Sequence, residues 1–173
     1  DGGSVYLRLS TRALEQPKRV MTDELRADIL KGAYWQVEPE DGAELAIVYT
    51  GALAGEAIAA FDVIKEDIPG AGLLAVPSAD VLQQDWLQVR SCSHVHQLLA
   101  KLGRNAGLVT VLDGAPGTLS WLGSVHGQSC CALGVSEFGR SADIPDIYAV
   151  QNIDEDAILD AVAKISLEQV KSL

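Results

Sequence analysis

Short apolar runs set apart by stretches of helical spacing organise this sequence. Leu45 to Tyr49, Gly72 to Val76 and Leu108 to Leu112 are each of strand length. Ser129 to Ser141, SCCALGVSEFGRS, begins in the same way and ends in a Gly-Arg-Ser turn, so it reads as a buried strand delivering a polar loop to one sheet edge. Strands joined through helices need crossovers, and crossovers need a parallel sheet covered on both faces. Runs that are apolar throughout, rather than alternating, suit such a sheet. The pattern therefore predicts a three-layer α/β/α domain of about five strands.

Helix signals fill the intervals. Thr22 caps a helix with Asp23 and Glu24 in its first turn, Leu25 and Ile29 inward, and Lys31 then Gly32 at its end. Ala33 to Glu38 follows as a strand, and Pro39-Glu40-Asp41-Gly42 supplies a turn. Gly51 and Gly55 lead into a helix carrying Ala57, Ile58, Phe61, Ile64 and Ile68, stopped by Pro69-Gly70. Ser78 and Ser93 each stand where a cap is wanted, the first before Val81, Leu82 and Trp86, the second before Val95, Leu98, Leu99 and Leu102 with Gly103 closing that helix. Thr118 to Val125 reads as a short helix, and Asp154 caps a last one with Ile158, Val162 and Ile165 inward, fraying towards Leu173.

Ser4 to Ser10 alternates apolar and polar residues like a strand but has no neighbouring strand for some twenty residues. With the polar stretch Glu15 to Arg19 behind it, it reads as the last strand of a preceding domain plus a linker, which divides the chain into residues 1–20 and 21–173.

Charge and composition narrow the function classes. A net charge of −11, from 13 basic and 24 acidic residues, repels a phosphate backbone, and no Lys/Arg cluster offsets it, so nucleic acid is not an expected partner. No run approaches the roughly 18 apolar residues that a membrane span needs. Three cysteines, two of them adjacent at Cys130 and Cys131, make no disulfide framework, and a reducing cytoplasm is the simplest compartment.

Few residue sets suggest chemistry by themselves. Gly51-Ala52-Leu53-Ala54-Gly55 joins a strand to a helix but lacks the Lys-Ser/Thr of a phosphate loop, so close strand-to-helix packing explains it better. Cys92, His94, His96, His126 and Cys130 lack the paired spacing of a zinc site, and exposed imidazoles at a helix start are the simpler reading. Ser120 has no flanking glycines of a nucleophile elbow, and Cys130 and Cys131 sit in an apolar run where thiols are inert. Glu137 and Arg140, at the carboxyl end of what reads as a central strand, read as a structural or interface ion pair.

Four segments together resemble the C-terminal domain of the transketolase superfamily: Asp28 to Tyr34, the Val48 to Gly51 turn, Ala75-Val76-Pro77-Ser78 and Ser136 to Ser141. The similarity is nearest to the homodimeric pyruvate dehydrogenase component of 2-oxo-acid dehydrogenase complexes, which has an Asp-Gly-Phe-Gly-Arg-Ser-Asp motif at this loop, shared here at Phe138-Gly139-Arg140-Ser141. It implies a five-stranded sheet of order 1-3-2-4-5 with the first strand antiparallel, where periodicity alone would pair Ala33 to Glu38 with its successor as a hairpin. It also implies a pyrimidine-binding domain ahead of this one, with Arg12 near a substrate anion. Glu137, Phe138, Gly139, Arg140 and Ser141 would form an interface or channel loop.

Thiamine diphosphate and magnesium are implied for the full-length enzyme, held by the preceding thiamine-binding domains and not by this fragment, which carries neither the magnesium-diphosphate motif nor the activating glutamate. A homodimer, and contact with the acyltransferase core of a multienzyme complex, are the implied partners; no catalytic residue and no metal ligand fall on this chain. Glu137 stands where the family has glycine, Ala142 where it has aspartate, and Ile144, Ala149 and Val150 where the bacterial pyruvate dehydrogenase has an arginine and two histidines. Two other readings stay open: a transketolase or related carboligase, and a non-catalytic module holding a small anion at the Gly51 turn and the final loop.

Overall fold

A computed structural model describes residues 3–4, 13–15, 17–139 and 141–171. Five strands form one sheet: β1 (Tyr34–Val37), β2 (Ala43–Tyr49), β3 (Gly72–Ala75), β4 (Leu102–Val111) and β5 (Ser129–Leu133), in the order β1-β3-β2-β4-β5. β1 runs antiparallel to β3, and every other neighbouring pair is parallel. The hairpin that periodicity favours does not form, because β2 takes the central place and β3 intervenes between it and β1.

Register aligns one residue from each strand into a row near the carboxyl edge. Tyr34 pairs with Ala75, Ala75 with Tyr49, Tyr49 with Val111, and Val111 with Leu133. Side chains in register share a face, so this row lies under one helical layer. That layer is built from α2 (Ala54–Ile64), α7 (Ile144–Gln151) and α8 (Glu155–Lys171), with Phe61, Tyr148, Ile158 and Ile165 buried against the sheet. The opposite layer comprises α3 (Ala79–Val89), α4 (His94–Leu99), α5 (Gly117–Ser120) and α6 (Gly123–His126), which bury Leu82, Leu99, Leu119 and Leu122 against Ala46, Val48, Leu74 and Leu108. The three-layer expectation holds.

Local signals explain most element ends. α1 (Asp23–Leu30) starts where Thr22 Oγ1 accepts a hydrogen bond from the Leu25 N–H at 3.1 Å, and stops at Gly32. Gly32 has φ +102°, and a Cβ there would lie 2.6 Å from the Ser78 carbonyl oxygen, so only glycine lets the chain turn into β1. α8 starts where Asp154 Oδ1 accepts from the Ala157 N–H at 3.1 Å.

Several boundaries depart from the sequence expectation. α2 ends at Ile64 rather than Ile68, since acidic Glu66 and Asp67 are unfavourable at a helix carboxyl end and Pro69 restrains the residue before it. Leu102 and Gly103 belong to β4, not to the preceding helix, drawn in where Leu102 pairs with Ala43. The expected helix from Thr118 to Val125 splits into α5 and α6 at Trp121, whose indole N–H donates to the Thr118 carbonyl while Ser124 Oγ donates to the Trp121 carbonyl. Those side chains take up carbonyls that a continuous helix would use. α7 falls where the sequence reading places only loop; Pro145 sits in its first turn, a place proline suits. β5, read as buried, is an edge strand with no fully buried residue.

The strand expected from Ser4 to Ser10 lies outside the described residues beyond Ser4, as do Arg12, Arg140 and the last two residues. No helix among the described residues is long and apolar enough to cross a membrane.

Candidate functional site

Two regions at the carboxyl edge of the sheet are candidates, and in open α/β sheets that edge is the usual place for ligands. The first is a cleft of about 360 Å³ over the ends of β2 and β3, lined by Tyr34, Tyr49, Thr50, Gly51 and Ala75 and roofed by the segment around Arg19. The sheet row creates it. Tyr34 and Tyr49 flank Ala75 on the same face, and the small alanine between two large rings leaves the space.

Both tyrosines are almost fully buried, at 6% and 5% exposure. The Arg19 guanidinium donates to the Tyr34 hydroxyl and lies 5.3 Å from the centre of its ring. Burial first, then the neighbouring Tyr34, pushes the Tyr49 phenol far above the ordinary range despite the opposing pull of Arg19. Thr50 Oγ1 donates to the Val76 carbonyl at 2.6 Å and fastens the ends of β2 and β3 together. Glu56, also at the cleft wall, serves the fold, since its carboxylate accepts the Glu155 N–H at 3.1 Å and caps α8.

Gly51, with φ +63°, opens the short 3-10 turn from Gly51 to Leu53, whose start no side chain caps. Gly55 faces open space: a Cβ there would meet no heavy atom within 4 Å, so the close packing expected of it is absent.

The second region is the loop that follows β5. The Val135 N–H donates to the Gly114 carbonyl at 2.8 Å, and a Cβ at Gly134 would lie 2.6 Å from the same oxygen, which ties the loop base to the end of β4. Beyond that base Glu137, Phe138, Gly139 and Ser141 are all exposed, Phe138 at 96%. They extend an edge strand, not the central strand expected.

The remaining sequence candidates separate. His94 is buried, not exposed: its Nε2 lies 2.8 Å from the Ala33 carbonyl, and its backbone N–H donates to Asp85 at 2.7 Å. His96 and His126 rings approach to 4.2 Å, with His126 Nε2 at 2.9 Å from the His96 carbonyl, so these side chains pin α4 to α6. Among the described residues no three of His, Cys, Asp and Glu converge as a metal site would need. Ser120 is exposed on its one-turn helix, and burial raises the Cys130 thiol pKa. The tyrosine cleft escapes sequence reading because Arg19, Tyr34 and Tyr49 share no motif; the strand order sets the two tyrosines on either side of Ala75, and contact with Tyr34 brings Arg19 to them.

No protein-family model matches the chain, and no curated protein matches it in sequence. Its fold does match solved structures. A transketolase from Leishmania mexicana superposes with TM-score 0.64 at 17% identity, over 82% of this chain and 19% of the transketolase. A Pichia stipitis transketolase in complex with xylulose 5-phosphate gives 0.60 at 20% identity, over 82% and 19%. A split-gene transketolase, an inactive beta4 tetramer, gives 0.56 at 13% identity, over 78% and 42%. This chain thus spans about a fifth of the length of the first two, and the fold it adopts is one found within transketolases.

Proposed function

We propose that this chain is the C-terminal domain of a thiamine-diphosphate-dependent enzyme of the transketolase superfamily, acting by shaping a subunit interface and one wall of a substrate channel rather than by catalysis. The observation that carries the reading is the sheet: order 1-3-2-4-5 with an antiparallel first strand, the arrangement that the resemblance implies. Exposed Glu137, Phe138, Gly139 and Ser141, following a partly covered edge strand, support the interface role.

Thiamine diphosphate and magnesium do not fit the residues described. No acidic cluster converges to hold the metal, and the cleft at Tyr34 and Tyr49 offers one arginine with a glutamate already engaged as a helix cap. The cofactor is assigned to preceding domains of the same polypeptide, with residues 1–20 as the tail of the nearest one, and the isolated chain is expected to be inactive.

For the reaction, Ser136 to Ser141 favours a pyruvate dehydrogenase, in which a 2-oxo acid is decarboxylated and the acyl group passes to a lipoyl carrier. The transketolase structures favour a second reading, ketol transfer from a sugar phosphate. Full-length protein supplied with thiamine diphosphate and magnesium separates them: turnover of pyruvate with dye reduction is expected, and turnover of xylulose 5-phosphate without any of pyruvate would select the second. Turnover of neither would remove the enzyme assignment.

A further inference from the structure

The cleft over β2 and β3 has no part in that proposal, yet its chemistry is specific. Arg19 meets no carboxylate among the described residues, although the chain carries 24 acidic residues; its hydrogen bond there is to the uncharged Tyr34 hydroxyl. Beneath it lie two tyrosine hydroxyls on side chains more than nine-tenths buried. The uncapped turn at Gly51 and Ala52 opens onto the same space. The volume, about 360 Å³, falls in the range of small-molecule sites.

A guanidinium set over phenolic hydroxyls that are themselves shielded from bulk water recognises a planar or tetrahedral oxyanion through charge-assisted hydrogen bonds. Three carboxylates stand nearby: Glu56 is committed to the Glu155 N–H, Glu15 is exposed to solvent, and Asp113, whose Oδ1 would lie 3.5 Å from a Cβ at Gly51, sits on the Gly51 side and is itself engaged.

We infer that the cleft bounded by Arg19, Tyr34, Tyr49 and Gly51 is a binding site for a small organic anion carrying a carboxylate or phosphate group. The anion binds in exchange for water, with Arg19 supplying the charge, Tyr34 and Tyr49 the orientation, and Ala75 the room. The site is separate from the β5 loop and independent of which reaction the full-length enzyme performs.

Thermal unfolding and isothermal titration of this chain test the site, with inorganic phosphate and pyruvate as separate probes and chloride at equal ionic strength as the control. A rise in Tm with phosphate or pyruvate over chloride is expected, the more effective probe giving the anion class. Arg19→Gln should weaken binding about tenfold or more, the usual loss for a charged hydrogen bond, with the unliganded Tm little changed because Arg19 is exposed. Tyr34→Phe should weaken it less. Should Arg19→Gln lower the unliganded Tm strongly, Ala75→Val, which fills the cleft from its floor, replaces it as the test variant. Absence of a shift with both anions, or a shift that survives both variants, overturns the site. Neither result bears on turnover by the full-length enzyme, so the two proposals fail separately.

Discussion

β2 and β5 are both apolar strands of one sheet, yet they are finished to different degrees. Six of the seven residues from Ala43 to Tyr49 are buried, Glu44 being the exception, while Ser129 to Leu133 contains none. Among the described residues β2 has β3 and β4 as neighbours, and β5 has β4 alone. The difference is one of position rather than hydrophobicity, and it teaches that the centre of this domain supports itself while its β5 side offers uncharged strand edge and an exposed phenylalanine. Edges of that kind attract a further partner unless something covers them.

The contrast makes its largest prediction in core truncation. Ile47→Ala, at a fully buried position of β2, is expected to cost about 2–5 kcal/mol in denaturant unfolding, whereas Leu133→Ala should cost about 1 kcal/mol or less. Equal losses would show β5 to be as well packed as β2. A sharper test concerns the seam between β4 and α8. A Cβ at Gly107 would fall 2.1 Å from Ile165 Cγ2, so Gly107→Ala should destabilise by about 1–3 kcal/mol, and combining it with Ile165→Ala should cost less than the sum of the two.

Smaller effects follow from titration. Tyr49 has its phenol raised above the ordinary value of 10.0, so its contribution is fully present below that pH and is lost as pH rises beyond it. Tyr49→Phe should therefore unfold less readily in alkali, measured by circular dichroism above about pH 10. The smallest effect concerns rate. With the Cys130 thiol pKa raised by burial, less of it is thiolate in mild alkali, and iodoacetamide should label it more slowly than exposed Cys92. Faster labelling of Cys130 would mean that β5 opens to solvent on its own.

How much of this was legible depends on whether the cause is local. Thr22, Gly32 and Asp154 act within a few residues, so caps and ends of α1 and α8 could be read directly. The apolar runs of β2, β3 and β4 named a parallel sheet for the same reason. The partner of β1 could not be read from four residues of alternation, since pairing is decided by what else competes for each edge; a family resemblance supplied it. The split of α5 from α6 depends on two side chains turning back on nearby carbonyls, which periodicity does not register. In the tyrosine cleft, residues 34 and 49 meet because β3 lies between β1 and β2, while residue 19 reaches them from the segment before α1. Of the loop residues, Glu137, Phe138, Gly139 and Ser141 are exposed where the sequence placed an interface loop, but an edge strand bears them.

Hydrogen exchange followed by mass spectrometry, on this chain alone and within the longer polypeptide that the proposal requires, addresses the proposed interface role most directly. Peptides from β5 and residues 134–141 should exchange readily in the isolated chain and become protected in the longer protein, while β2 peptides stay protected in both. Equal exchange of the β5 and loop peptides in the two proteins would contradict the claim that this side of the domain is completed by a neighbour.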